Sequence, residues 1–196
     1  MKNYFKILRP GINSTFQDTG RFGLQHLGIA PSGCMDKSLF FLANKLVGNE
    51  ISEGALEFAY QGPLLELVGE SALVAVSGKV NFNIINNNGE IKQGIPYESF
   101  ILSSGESLDI ISTIDSVYGY LSIFGGFKLK KTKGSISTLV RAKIGSNNGE
   151  KLKLDEKIFF NKSSQNSKIN KFKFDFENDT TIRVTKGLQY DYFSKT

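Results

Sequence analysis

The chain has 196 residues, 40% of them hydrophobic, with 24 Lys or Arg against 19 Asp or Glu, a formal net charge of +5 and one cysteine. That length suits one domain, or one and a fraction, with a real core, and the lone Cys34 excludes an internal disulfide and fits a reducing compartment. No apolar run is long enough to cross a membrane and MKNYFKILRPG lacks the apolar centre of a signal peptide, so a cytoplasmic protein with no membrane partner is expected.

Along the chain, YFKIL (4–8) reads as a first strand. The 23 residues Ser14–Asp36, STFQDTGRFGLQHLGIAPSGCMD, then show neither strand nor helix period. A long structured segment of that kind is often functional, and glycines at 20, 23, 28 and 33 allow sharp turns or close approach to a ligand. One principal helix is predicted over about 36–47. Asp36 caps it, Leu39, Phe40, Ala43, Leu46 and Val47 make its buried face, and Gly48 ends it. The helix either adds an N-terminus that favours anions or simply plugs the interior. Further strands are predicted at ALVAVS (72–77), SFILS (99–103), SLDIIST (107–113) and VYGYLSIF (117–124), with turns at NNNGE (86–90) and SSGES (103–107). Short strands at regular spacing indicate a mainly β protein, an antiparallel barrel or sandwich.

The lysine cluster KLKKTK (128–133) reads as a solvated turn. Only four basic residues are Arg, and no nucleic-acid motif is visible, so no nucleic-acid partner is expected. Three segments organise the chain: a β domain over 1–160, a polar linker or loop over 161–178, and 179–196, where DTTIRVTKGLQYDYF (179–193) starts like another strand.

Candidate chemistry concentrates in the glycine-rich segment. Arg21 offers a guanidinium for a carboxylate or phosphate, or else a structural pairing with Asp18 or a loop carbonyl. Asp18 is a candidate base or an orienter of Arg21, against a turn held through its own backbone. Gln17 can hydrogen-bond an amide or lactam. His26, the only histidine, is a candidate general acid or base, against a structural role. Ser32 and Gly33 form a turn whose N–H groups suit an anion, and Ser135, Ser137 and Thr138 in GSIST (134–138) are the other candidate ligand contacts. Cys34 is read as a small turn residue rather than a reactive thiol. With one His and no Cys cluster, no metal site is expected, and no Ser-His-Asp order, P-loop or dinucleotide fingerprint is present.

These residues carry a resemblance. Ser14–Asp36, with FLANKLVGNE (41–50), ALEFAYQGPLLEL (55–67), ALVAVSG (72–78), YGYLSIFGGF (118–127), GSIST and, more faintly, IRVTKGLQYDYF (182–193), resembles the carboxyltransferase-type family that takes in allophanate hydrolase subunit 2, the C-type subunit of 5-oxoprolinase and KipA. The resemblance implies a cyclophilin-like antiparallel β-barrel working beside a sister subunit of related fold (the B-type subunit of 5-oxoprolinase, KipI-like) and a catalytic A-type subunit. It implies a subunit of an ATP-dependent 5-oxoprolinase opening 5-oxoproline to glutamate. In that reading Arg21 and the helix N-terminus hold the substrate carboxylate, Gln17 holds the lactam and His26 relays a proton. ATP would be used by the complex and no cofactor bound by this chain alone. The alternatives are a biotin-dependent carboxyltransferase acting on a urea-like nitrogen, or a regulatory or decayed binding subunit. Family members carry Arg at Ile136, a Gly-Gly pair at Gly145-Ser146, Arg at Glu150 and Gly-Asp at Asp155-Glu156. The family also continues further, so a truncated or split member is expected.

Overall fold

The computed structural model describes residues 3–161, 168–173, 181 and 183–193. All its strand pairs are antiparallel and form two sheets. The six-stranded sheet contains β1 (Tyr4–Arg9), β4 (Leu64–Val68), β6 (Val80–Ile85), β7 (Ile91–Gln93), β9 (Ser107–Thr113) and β11 (Lys157–Phe159), in the order β11-β1-β4-β9-β6-β7. The five-stranded sheet contains β2 (Asn13–Gln17), β3 (Ala55–Ala59), β5 (Ala72–Ser77), β8 (Ser99–Leu102) and β10 (Tyr118–Ile123), in the order β2-β3-β10-β5-β8. The expected mainly β architecture with one helix is present. Its ladders form two facing sheets, however, rather than one continuous barrel among the described residues.

Alternation along each strand places the core between the sheets. Phe5, Ile7, Leu65, Leu67, Phe82 and Ile110 meet Phe16, Leu56, Phe58, Val74, Val76 and Leu121, all essentially without exposure. Each such side chain contributes about 1.5–3 kcal/mol when fully buried. The five-stranded sheet is covered on its outside as well. Leu73 and Ala75 of β5 face Leu46 and Val47 of α1 (Lys37–Val47), and Tyr120 of β10 faces Phe40. The helix therefore lies against the outer face of this sheet and does not plug the interior. Its ends match the sequence: Leu39 N–H donates to Asp36 Oδ1 at 3.0 Å, and Gly48 closes it at φ 79°.

The Ser14–Asp36 segment is less irregular than its sequence suggests, because residues 14–17 belong to β2. Four of the five β2 residues are buried, so the half-exposed alternation that marks a strand is absent. On one side of the fold, residues 127–156 bridge the sheets. Lys128 N–H bonds Phe159 O at 2.8 Å, Thr138 N–H bonds Phe16 O at 2.9 Å, and Leu152 N–H bonds Ser14 O at 3.0 Å. On the other side, residues 168–173 run along the β8 edge, with Ser99 N–H to Asn170 O and Phe172 N–H to Tyr97 O, both 2.9 Å. That part of the expected linker packs on the domain; residues 162–167 and 174–178 lie outside the described residues. The strand expected over 179–193 is not found in 183–193, which hold one short 3-10 turn, Tyr190–Tyr192, and are exposed; residues 179, 180 and 182 are not described. No described helix is long and apolar enough to cross a membrane.

Candidate functional site

Two chain passages make the scaffold of the site. Gly20 and Gly33 stand back to back: Arg21 N–H bonds Pro31 O at 2.7 Å and Cys34 N–H bonds Asp18 O at 2.9 Å. A Cβ on Gly20 would lie 2.8 Å from Ser32 O, and one on Gly33 3.0 Å from Thr19 O, at φ 99° and 101°. Only glycine combines that backbone with that approach. The loop so pinched is then tied to GSIST. Asp18 Oδ1 accepts from Gly20 N–H at 2.8 Å and from the hydroxyls of Ser135 and Ser137 at 2.6 Å each, while Oδ2 accepts from Ile136 N–H at 2.8 Å. Burial pushes the Asp18 carboxyl up, but these four donors outweigh it and hold it below the usual carboxylate range. Both oxygens are engaged, so Asp18, Ser135 and Ser137 form a brace.

Arg21 belongs to the same brace. It is 2% exposed, donates from one terminal nitrogen to Ser32 Oγ at 3.0 Å and from the other to Ser137 O in a very short bond. Burial lowers its proton affinity and the Asp18 charge restores part of it. The loop-carbonyl pairing is thus the observed one, although Arg21 Nε stays buried without a partner. Ile136 is 5% exposed and packs in the main core.

Beside the brace lies a cleft of about 310 Å³ on the outer face of the five-stranded sheet, near the start of α1. Register builds it. Thr15 of β2 pairs with Glu57 of β3, and Glu57 with Tyr120 of β10, so one row of polar side chains points outward; Gln17 follows two residues after Thr15. Gln17, Ser32, Gly33, Glu57, Thr138 and Arg141 are among its lining residues, with Lys151 and Met35. Gln17 Nε2 is spent on Thr15 Oγ1 at 2.9 Å and Thr138 O at 3.2 Å, which turns Oε1 away from both. Gln17 Oε1 and Thr138 Oγ1 are buried without a partner. Each such atom costs about 1–3 kcal/mol until a ligand or water satisfies it.

Glu57 is the residue that sequence reading missed. It is 5% exposed; Oε2 accepts from Tyr120 Oη at 2.7 Å and Met35 N–H at 2.8 Å, and Tyr120 Oη accepts from Asp36 N–H at 2.8 Å. Burial raises the Glu57 carboxyl, and the two donors offset this only in part. The Glu57 carboxyl, raised by burial, lines the same cleft as the Gln17 amide oxygen that has no donor. The signal was a single acidic residue inside the apolar run ALEFA.

The remaining expected residues are placed apart. His26 is exposed in the 3-10 turn Gln25–Leu27 and does not line the cleft. Asp36 occupies the helix N-terminus with its own carboxylate. Cys34 is half-buried; burial first, and Glu57 second, push its thiol up to about 11, which leaves it protonated. Among the described residues no three His, Cys, Asp or Glu side chains group to hold a metal ion.

Comparison with known proteins agrees with this architecture. Residues 27–196 match the model of the carboxyltransferase domain, subdomain A and B. The chain is 34% identical over 158 residues to the urea amidolyase of Lachancea kluyveri, covering 80% of this chain and 8% of that protein. It is 31% identical over 152 residues to the C-type subunit of 5-oxoprolinase from Haemophilus influenzae, covering 78% of this chain and 48% of that one. The crystal structure of Kluyveromyces lactis urea carboxylase superposes with a TM-score of 0.76 at 34% identity, over 83% of this chain and 14% of the larger one. The chain thus spans about half of the bacterial relative and under a tenth of the yeast one. By its matched residues, its two-sheet fold and these relatives, the chain belongs to the carboxyltransferase domain family, subdomains A and B.

Proposed function

We propose that this chain is a 5-oxoprolinase component of the C type, whose cleft binds the lactam of 5-oxoproline for ATP-dependent opening to glutamate. The observation that carries the reading is the pair of unpartnered oxygens, Gln17 Oε1 and Thr138 Oγ1, beside Glu57. A lactam presents N–H and C=O on one planar edge. Gln17 Oε1 accepts its N–H, and Thr138 Oγ1 donates to its carbonyl. Such donors stabilise the oxyanion that develops when an amide carbonyl is attacked. Arg141 and Lys151, at the cleft and exposed, pair with the substrate carboxylate. Arg21 and Asp18 act behind them by fixing Ser32 and the GSIST backbone. His26 lies outside this set and serves the reaction only through a partner that covers its loop. The sister B-type and catalytic A-type subunits supply what the chain lacks, and ATP is assigned to the assembly.

The second reading is carboxyl transfer to a urea-type nitrogen, favoured by the 34% identity to a urea amidolyase and to a urea carboxylase structure. The same edge recognition fits it, because urea and the ureido ring of biotin also pair N–H with C=O. Gln17 and Thr138 would hold the biotin ring, which carries the carboxyl group when loaded. The experiment is purification with the co-encoded neighbours and assay of ATP-dependent glutamate release from 5-oxoproline. Activity confined to the mixture, with Gln17→Ala raising KM and Arg21→Ala abolishing turnover, supports the first reading. Turnover of urea with bicarbonate in place of 5-oxoproline favours the second. A complex that turns over neither substrate overturns both and leaves a regulatory subunit.

A further inference from the structure

A second concavity lies across the 134–149 loop from the first. Thr138–Arg141 face the amide cleft, and Lys143–Asn148 line a larger cleft of about 590 Å³. Four lysines, Lys128, Lys130, Lys143 and Lys157, are among its lining residues. Glu156 is the single carboxylate among its lining residues, and its Oε2 already accepts from Lys153 N–H at 3.0 Å and Asn147 Nδ2 at 3.3 Å. Among the described residues, no carboxylate oxygen lies within salt-bridge distance of any of these four lysines; Lys157 instead sits 5.0 Å over the Tyr4 ring. Two of the lysines that read as a solvated turn therefore take part in a concave site of net positive charge, with Glu150 acting on Lys143 from outside its lining.

We propose that this cleft binds a small anion carrying a chain of phosphoryl groups. Three features fix the class. Four positive charges against one engaged carboxylate match a ligand with three or four negative charges, which a single carboxylate or sulfate does not supply. Volume in the range of about 300–1,000 Å³ suits a small molecule rather than a duplex or a flat protein face. Phe16 and Ile158, both nearly unexposed, back the cleft with apolar surface, where charge interactions are stronger than in open water. Lysine acts there as a point charge on phosphate, and the Asn148 side chain lines the same cleft, while Asn147 Nδ2 is already engaged by Glu150 O, Lys151 O and Glu156 Oε2. The two clefts share one loop, in which Leu139 of the amide cleft and Ile144 of the second are bridged.

The test is calorimetric titration of the purified chain with sulfate, pyrophosphate, tripolyphosphate and adenosine triphosphate at two ionic strengths. Affinity is expected to rise from sulfate to tripolyphosphate and to weaken with salt. Lys128→Gln/Lys143→Gln is expected to weaken tripolyphosphate at least tenfold, and Lys130→Glu/Lys157→Glu to abolish it, at an unchanged thermal midpoint. Lys45→Gln/Lys92→Gln, outside the cleft, is expected to leave binding within twofold. Adenosine triphosphate binding more tightly than tripolyphosphate identifies a nucleotide as the source; equal affinity identifies the phosphoryl chain alone. No binding at millimolar tripolyphosphate overturns the proposal, as does equal weakening by the outside pair. Tighter binding of a polyglutamate peptide also overturns it, in favour of an acidic protein partner.

Discussion

Replacing Asp18 by Asn tests the brace at its centre. The change keeps size and shape but removes the charge that collects Gly20, Ser135, Ile136 and Ser137. With the amide oxygen at the Oδ1 position, three donors keep a neutral acceptor. Bonds to a charged group are worth about 1.5–3 kcal/mol and neutral ones about 0.5–1.5, so each loses roughly 1 kcal/mol. The amide nitrogen then faces Ile136 N–H, donor against donor, which leaves one buried amide unsatisfied at about 1–3 kcal/mol. Relief from burying a charge returns part of this, for a net loss of about 3 kcal/mol. In a chain of this size that lowers Tm by about 6–12 °C, measured by scanning calorimetry at pH 7. Acidification gives a second check. The folded Asp18 holds its proton more weakly than the unfolded chain does, so its contribution is complete above the ordinary carboxylate range. It is lost as pH falls through the depressed folded value. The difference between wild type and Asp18→Asn should therefore shrink towards low pH. A Tm change under 2 °C, or a difference that stays constant with pH, would refute the reasoning.

Other perturbations follow from the same geometry. Glu57 is raised in the folded state, so its contribution is present below the ordinary carboxylate range and fades as pH rises through the folded value. Glu57→Gln should gain stability relative to wild type between pH 5 and 8 in urea unfolding; an identical difference at both pH values counts against a proton held there. Gly33→Ala puts a Cβ 3.0 Å from Thr19 backbone at φ 101° and should cost about 2 kcal/mol or more, with Gly33→Ser no better. Alkylation of Cys34 at pH 8 should run about 100-fold slower in the folded than in the unfolded chain, since a thiol at about 11 is ionised ~100 times less than one at 9.0. Equal rates would show a thiol open to reagent.

The helix and strands β1, β5, β8, β9 and β10 were legible because their signals are local. Asp36, the spacing of Leu39, Phe40, Ala43 and Leu46, and Gly48 together fix α1, and SLDIIST coincides with β9. β2 was not legible, since Ser14, Thr15, Phe16 and Gln17 are all buried and the pattern that separates inside from outside vanishes. In the candidate site, Gln17, Ser32, Gly33 and Thr138 line one cleft. The roles of Asp18 and Arg21 were not legible. What decides them is which donors and carbonyls meet them from GSIST, and no local pattern encodes a contact across more than 110 residues. Glu57 escaped because a strand covered on both faces reads as apolar, and its partner Tyr120 lies 63 residues away.

The brace also sets an order of events during synthesis. Asp18 and its Ser137 partner are separated by 119 residues. At about 5–20 residues per second, roughly 6–24 s pass between the emergence of one and of the other. Through that interval β1 and β4, and β2 and β3, can already pair, because all four strands precede the GSIST segment in the chain. The loop carrying Gln17 and Arg21 cannot be fixed in the same period, since the hydroxyls that hold it do not yet exist. The amide cleft is therefore among the last parts of this domain to take shape, and the nascent chain passes through a stage with sheets but no site.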